Sequence, residues 1–325
     1  MKPIIVIGSG SWGSALAILL ANNQQAVRLW GIEEAELTEA KKTRYYETYL
    51  PVIRLPDQLE IETNLKKAME DSGDILIVVP SHVLRPAIKN LLPYLHNDSR
   101  FILASKGFDP STGQLLTQVI EEVCGKPIPM AVVSGASFAK EVAMGVPTAI
   151  AVASKDEFFA EEVMGYFNSP VCFPEKTTDV VGVQVGGGVK NVMAIAVGIA
   201  DGLGYGANTR CALITRGLAE MMRLGVALGA REQTFMGISG MGDLILTCTD
   251  NLSRNRRFGL AIGQGKTESE ALAEIKQVVE GISNVELVRR LSHKHQIKMP
   301  IVEQVYCMIR ENADPRKAIA KIFED

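Results

Sequence analysis

The chain has 325 residues, 47% of them hydrophobic and 22% charged, with a formal net charge of -3 at pH 7. That length allows two cores, and the slight acidity argues against a nucleic-acid binder or a polybasic membrane-surface protein while leaving room for a local basic pocket. Five cysteines (Cys124, Cys172, Cys211, Cys248, Cys307) stand far apart without a C-x-x-C, and the four histidines (His82, His96, His293, His295) form no ligand pattern, so neither a disulfide scaffold nor a metal centre is expected.

The N-terminus runs from Met1-Lys2-Pro3 into a short apolar strand at 4–7. It lacks the apolar length and cleavage site of a secretory leader, so a cytoplasmic protein is expected. A helix over 14–22 and a strand at 27–30 follow, with further strands predicted at 75–79, 101–104, 130–133 and 148–153. The early strands are near-continuous apolar runs, the pattern of a parallel sheet covered on both faces. Their alternation with helical segments predicts an α/β fold, a doubly wound Rossmann-type domain over 1–180. After about Thr178 the β-rich runs stop. Helical periods take over, as at 211–228 and 267–279, predicting a mostly α-helical domain over 181–325 with the boundary between Pro174 and Val185. The apolar run 192–203 is too short for a membrane span and contains Asp201, so it reads as a buried helix and no membrane insertion is expected. An apolar-rich helical domain also suggests a homodimer.

The first strand ends in Gly8-Ser9-Gly10-Ser11-Trp12-Gly13, a G-x-G-x-x-G opening a helix. Gly8 permits the tight turn, Gly10 lets a pyrophosphate approach the backbone, and Gly13 lets helix and strand pack closely. The helix N-terminus then offers amides to the phosphates, so a dinucleotide, NAD or NADP, is expected here rather than an empty glycine turn. The second strand ends in Trp30-Gly31-Ile32-Glu33. Glu33 has the spacing of an acid for the ribose hydroxyls, though it reads equally as a helix-start acid. With no basic residue at the tip, the reading leans to NAD. Loops at 79–82, 105–107 and 134–139 also follow strands, where open α/β sheets bind ligands. Lys106, directly after an apolar strand, is either a surface lysine or an ammonium aimed into a cleft.

Far downstream, Gly186-Gly187-Gly188-Val189-Lys190-Asn191 opens an apolar helical stretch that would place Lys190, Ala194, Val197 and Asp201 on one face. A lysine there could serve as a general base if apolar surroundings and a second cation lowered it from about 10.4 to about 7–8, a change of about 4 kcal/mol. The alternative is a lysine snorkelling to solvent. Asp243, exposed by the glycines of Ser239-Gly240-Met241-Gly242, could hold a lysine or bind a substrate hydroxyl. Ser253, Arg254 and Asn255 present hydroxyl, guanidinium and amide in a row, suited to a phosphate. The alternative is a solvated basic helix start capped by Ser253 and Asn255. The cluster lacks the aromatic interleaving of an RNA patch.

Together these motifs identify a resemblance. G-S-G-S-W-G, V-P-S-H, S-K-G, G-A-S-F-A, G-G-G-V-K-N, A-D-G-L-G-Y-G-A-N-T-R-C-A-L-I-T-R-G, S-G-M-G-D-L, S-R-N-R-R-F-G and V-V-E-G occur in this order over nearly the whole chain. The chain resembles the bacterial NAD(P)-dependent glycerol-3-phosphate dehydrogenases. The resemblance implies Lys190 as general acid/base, with a substrate site of Lys106, Gly135, Ser137, Lys190, Asp243, Ser253, Arg254 and Asn255. It implies a cofactor site of Gly8, Gly10, Ser11, Trp12, Gly13, Lys106, Ala139, Arg254, Val278 and Glu280. It also implies a small-molecule substrate, glycerol 3-phosphate or dihydroxyacetone phosphate, and a link to glycerophospholipid synthesis. Three departures stand out: Ala136 for the family's proline, Ile32 for a more usual basic residue, and an atypical stretch 281–285 after V-V-E-G. Another β-hydroxyacid-type dehydrogenase and a non-catalytic dinucleotide sensor are the alternative readings.

Overall fold

The computed structural model describes residues 2–324. The chain divides into two compact units. One comprises the chain up to Asp109 together with Gln114–Val180, and the other comprises Pro110–Gly113 together with the chain from Val181 onward.

The first unit is built on ten strands: β1 (Ile4–Ile7), β2 (Val27–Trp30), β3 (Tyr45–Tyr46), β4 (Leu50–Arg54), β5 (Glu60–Ile61), β6 (Asp74–Ile77), β7 (Arg100–Leu103), β8 (Met130–Ser134), β9 (Thr148–Ser154) and β10 (Cys172–Thr177). Eight form one sheet in the order β10-β9-β8-β7-β6-β1-β2-β5, and β3 and β4 form a separate hairpin. Every residue of β1 and β6 is buried, which explains the apolar runs Ile4–Ile7 and 75–77, while Asp74 at the start of β6 is paired with Arg100. The sheet is parallel except that β8 and β9 run antiparallel, with Val132 opposite Ala153. The period of β9 could not reveal this direction. Strand β10 went unpredicted because Phe173-Pro174-Glu175-Lys176 breaks the apolar run, and its proline is tolerated because the strand lies at the sheet edge. Strand order reverses beside β1, which pairs with β2 on one side and β6 on the other. Open α/β sheets bind ligands at the carboxyl end of such a switch point.

The second unit is helical. Its central helix, Val180–Gly202, is long and apolar enough to span a membrane by composition, but it is the core of this unit, with nineteen of its residues buried. It meets the helix Arg254–Gly263 backbone to backbone. A Cβ on Gly198 would lie 2.2 Å from the Arg256 carbonyl oxygen, and one on Gly259 would lie 2.1 Å from that of Ile195. Only glycine permits this approach, which fixes the register between the lysine-bearing and arginine-bearing segments. Farther on, the segment predicted as helix over 267–279 is helical only at Glu268–Ile275. Thr267 and Glu270 cap its start reciprocally, and Lys276 stops it in the left-handed region.

Glu220, on the helix Ala207–Ala227, is 1% exposed and accepts the amides of Ile301 (2.6 Å) and Val302 (3.3 Å) at the start of the helix Pro300–Arg310. Burial raises its carboxyl from 4.5 to about 7, against the two amides and the Arg223 and Arg216 charges. A folded value above the unfolded one adds stability that is fully present below pH 4.5 and is lost as pH rises through about 7. The span is worth roughly 3 kcal/mol. Urea titrations of the parent and Glu220→Gln should therefore diverge with pH, the parent losing roughly 3 kcal/mol relative to the variant between pH 4 and 8. A difference constant across that range would show that the carboxyl titrates normally.

Candidate active site

In the first unit, four loops leave the carboxyl ends of the adjacent parallel strands β1, β6, β7 and β8. Gly8, with φ +114°, turns the chain out of β1, and a Cβ there would strike the Val78 carbonyl oxygen at 2.9 Å. A Cβ on Gly13 would lie 1.8 Å from the Gly8 carbonyl oxygen, so the helix Ser11–Asn22 can approach its own strand only through glycine. Gly10 differs: a Cβ there would meet nothing within 4 Å. The two outer glycines are required by the fold and the middle one borders open space, which is the cradle a pyrophosphate needs. No side chain caps this helix, so its first amides and positive dipole end face that space, and the Trp12 indole Nε1 is buried without a hydrogen-bond partner. These residues fit a dinucleotide.

The tip of β2 is organised by Glu33. Its Oε2 accepts the Ser9 hydroxyl at 2.9 Å and its Oε1 accepts the Tyr49 hydroxyl at 3.4 Å, while the Tyr46 hydroxyl donates to Ser9 at 3.3 Å. Burial pushes the Tyr46 phenol well above its usual range, keeping it a neutral donor. Glu33 is thus turned back to the glycine loop and does not cap the helix Glu34–Thr43 that it precedes. Ile32 is 81% exposed.

The remaining predicted residues of this unit lie on the neighbouring loops. Lys106 follows β7, with its ammonium 5.9 Å from the centroid of the Trp12 ring, so the second cluster touches the first. Gly135, just past β8, has φ +156°, and a Cβ there would crowd the Ala149 carbonyl oxygen at 3.0 Å. Ser137 donates to the Gly135 carbonyl oxygen at 3.0 Å, and Ala139 opens the helix Ala139–Ala143.

In the second unit, Lys190 is 6% exposed and Asp243 is 1% exposed. The Lys190 Nζ lies 2.5 Å from Asp243 Oδ1 and donates to Thr247 Oγ1 at 3.0 Å. The Thr247 hydroxyl in turn donates a hydrogen bond to the Asp243 carbonyl oxygen at 2.6 Å. A π-helical turn, Ile238–Gly242, delivers Asp243 into this contact, and it sits tightly because a Cβ on Gly186 would lie 2.5 Å from the Ser239 carbonyl oxygen. The surroundings of Lys190 therefore include, beside the apolar helix, the aspartate that the sequence offered as a holder for a lysine. A carboxylate contact favours the ammonium, whereas burial disfavours it. Asp201, expected on the lysine's face, is engaged elsewhere, accepting Arg256 at 2.6 Å and Arg210 at 2.9 Å.

The S-R-N-R-R cluster splits by role. Ser253 is the N-cap of its helix, accepting the Arg256 amide at 3.2 Å. Asn255 donates to Asn191 Oδ1 at 3.0 Å and accepts the Gly281 amide at 2.8 Å. Arg256 is tied to Asp201, Asn251 and the Cys248 carbonyl, so its work is structural. The Arg254 side chain makes no hydrogen bond or ion pair with another described residue, leaving its guanidinium available. Asn191 also donates to Glu280 Oε2 at 3.1 Å, and Val278, two residues earlier, is 58% exposed. Burial pushes the Cys248 thiol up to about 12, which makes it a poor nucleophile despite its position beside the pair. Sequence reasoning missed two residues here. Asn191 joins Glu280 to Asn255, and Thr247 seats the lysine. Asn191 is marked only by following Lys190, and Thr247 only by standing four residues after Asp243.

Two family models match the chain. The N-terminal model of NAD-dependent glycerol-3-phosphate dehydrogenase covers residues 3–160 and the C-terminal model covers residues 179–320. A protein of Edwardsiella ictaluri (strain 93-146) named glycerol-3-phosphate dehydrogenase [NAD(P)+] is 50% identical over 98% of this chain and 94% of its own length. The relative of that name from Bartonella henselae is 50% identical over 93% of this chain and 89% of its own. Among solved structures, glycerol-3-phosphate dehydrogenase from Coxiella burnetii superposes with a TM-score of 0.96 at 42% identity, covering 100% of this chain and 99% of that one. A ketopantoate reductase from Ralstonia eutropha shares the fold at TM-score 0.59 and only 14% identity.

Proposed function

The chain belongs to the NAD-dependent glycerol-3-phosphate dehydrogenase family, and from that premise we propose how its residues divide the work. The reaction is the NAD(P)-dependent interconversion of sn-glycerol 3-phosphate and dihydroxyacetone phosphate.

Gly8, Gly10, Ser11, Trp12, Gly13 and Ala139 would hold the dinucleotide, with Lys106, Arg254, Val278 and Glu280 completing its site. Bound there, the nicotinamide supplies or accepts the hydride. Lys190 manages the proton. In reduction its ammonium donates to the carbonyl oxygen of dihydroxyacetone phosphate as C2 becomes a carbinol. In oxidation its amine takes the C2 hydroxyl proton as the C–H bonding pair leaves C2 and the C=O bond forms. Asp243 and Thr247 hold Nζ in one place, so the proton is aimed without reorganisation. Arg254 would bind the phosphate bidentately, with Ser253 and Asn255 beside it, and the motif resemblance also assigns Lys106, Gly135 and Ser137 to substrate binding. The observation that carries this reading is the buried Lys190–Asp243–Thr247 contact: a buried ammonium with a built support, of the kind found where protons move.

The test is loss of absorbance at 340 nm when the purified protein meets dihydroxyacetone phosphate with NADH or NADPH. Oxidation of neither cofactor by folded, cofactor-binding protein would sink the reading. The same assay addresses cofactor choice. Glu33, fixed at the end of β2 by Ser9 and Tyr49, suits a ribose diol and repels a 2′-phosphate. The expected preference in kcat/KM is about 10- to 100-fold for NADH, and Glu33→Gln should narrow it by relieving the repulsion of NADPH. Equal use of both cofactors by the parent would remove Glu33 from this role. In the cell we assign the chain to the cytoplasm, as a homodimer supplying glycerol 3-phosphate to glycerophospholipid synthesis. The wide cysteine spacing supports the compartment, the apolar-rich helical unit the homodimer, and the motif resemblance the place in synthesis.

A further inference from the structure

Away from the residues assigned to the reaction, the second unit carries a pocket of about 340 Å³ lined by Arg216, Ala219, Glu220, Arg223, Lys298, Pro300 and Ile322. Its charges come from two elements. The helix Ala207–Ala227 places Arg216, Glu220 and Arg223 on one face, four and three residues apart. Lys298 comes from the turn before the helix Pro300–Arg310. Ala219, Pro300 and Ile322 supply an apolar wall.

Among the described residues, Glu220 is the one acid lining the pocket beside these three cations, and it accepts the amides of Ile301 and Val302. Arg216 is anchored, donating to the Ile322 carbonyl and stacking 5.1 Å over the Phe323 ring. Arg223 uses Nε on the Lys298 carbonyl oxygen at 3.1 Å, which orients its guanidinium. Among the described residues, the terminal nitrogens of Arg223 and the ammonium of Lys298 have no hydrogen-bonding or ion-pairing partner. A preset guanidinium edge and a nearby ammonium over an apolar wall match a tetrahedral dianion carried on a short organic body. The volume lies at the small end of ligand sites, enough for such a molecule and too small for a dinucleotide.

We propose that this pocket is an anion site, separate from the Arg254 cluster, that takes a small phosphate monoester through Arg223 and Lys298. Inorganic phosphate would use the same contacts, and the apolar wall formed by Ala219, Pro300 and Ile322 distinguishes the two. The charged groups facing Glu220 are Arg216 and Arg223 from its own helix and Lys298 from the turn opposite, all cationic side chains. An anion in the pocket therefore favours protonated Glu220, and binding tightens as pH falls toward 6.

The test is equilibrium dialysis with radiolabelled sulfate, a dianion throughout this range, on the full-length protein. Arg223→Gln/Lys298→Gln should lose one bound sulfate per chain, or weaken it at least about tenfold, with unchanged turnover of dihydroxyacetone phosphate showing that the fold is intact. Parent affinity should fall between pH 6 and 8, and Glu220→Gln should remove that dependence. A short-chain alkyl phosphate that displaces sulfate more strongly than inorganic phosphate does would assign the site to monoesters. Identical sulfate binding by the parent and the double variant would overturn the site, whatever the outcome of the turnover assay. Equal displacement by the two phosphates would overturn the monoester assignment.

Discussion

Lys190→Ala is expected to lower kcat in both directions by about 10³- to 10⁴-fold, the upper range for loss of a general acid/base, while NADH affinity changes less than about twofold. The split follows from where the work is done. The glycine loop after β1 and the Ser11–Asn22 helix, proposed to hold the dinucleotide, do not include Lys190. Fluorescence titration with NADH measures the first quantity and steady-state kinetics the second. The truncation leaves a cavity beside Asp243, so a small primary amine should restore part of the rate, whereas an uncharged isostere should not. Near wild-type kcat in the variant would falsify the proton-transfer role. A rate loss with no amine rescue and weakened NADH binding would point to a structural lysine instead.

Asp243→Asn should produce the second large effect, and it should do so twice. Removing one partner of a buried pair strands the other, a cost of about 3–5 kcal/mol. Both residues are almost fully buried, so solvent screening offers little relief. Without the Asp243 charge, less offsets the burial of Lys190, which gives up its proton more readily. The pH profile of dihydroxyacetone phosphate reduction should therefore lose its high-pH side earlier than in the parent. The stability deficit should be greatest at low pH, where the lysine must remain charged, and should shrink as the amine becomes neutral. A purely structural aspartate would cost stability without moving the pH profile of the rate. Comparing that profile with denaturant midpoints at several pH values separates the two.

How much of this was visible in the chain itself depends on the range of the interaction. The strand–glycine–helix start was legible because its apolar run, its glycine spacing and the contact of Gly13 with Gly8 are local in sequence, even though Gly8 also meets Val78 just past β6. β1 is an apolar run buried on both faces, and the demands on Gly8 and Gly13 arise from backbone within a few residues or from the adjacent β6. The change from strands to helices was legible for the same reason, since period is a local property. The Pro110–Gly113 segment was not. It belongs to the second unit because Arg290 donates to the Pro110 carbonyl at 2.9 Å and Gly113 packs on Leu291, contacts some 180 residues apart in sequence. The antiparallel β9 was hidden because a buried strand has the same composition in either direction.

Sequence by itself determined which chemical groups are present: the dinucleotide fingerprint, the lysine within an apolar helix, the aspartate after a glycine turn and the arginine cluster. Their motif order alone carried the family resemblance. Only the tertiary structure decided which groups meet. Lys190 and Asp243 are 53 residues apart, and their contact depends on glycines that let the Lys190 helix approach the turn at Ser239. Of three neighbouring arginine-cluster residues, structure made Ser253 a cap, Arg256 a strut to Asp201 and Arg254 the available guanidinium. Side-chain type is written one residue at a time. Protonation and availability depend on distance, burial and competing partners, which come into being only when distant segments pack.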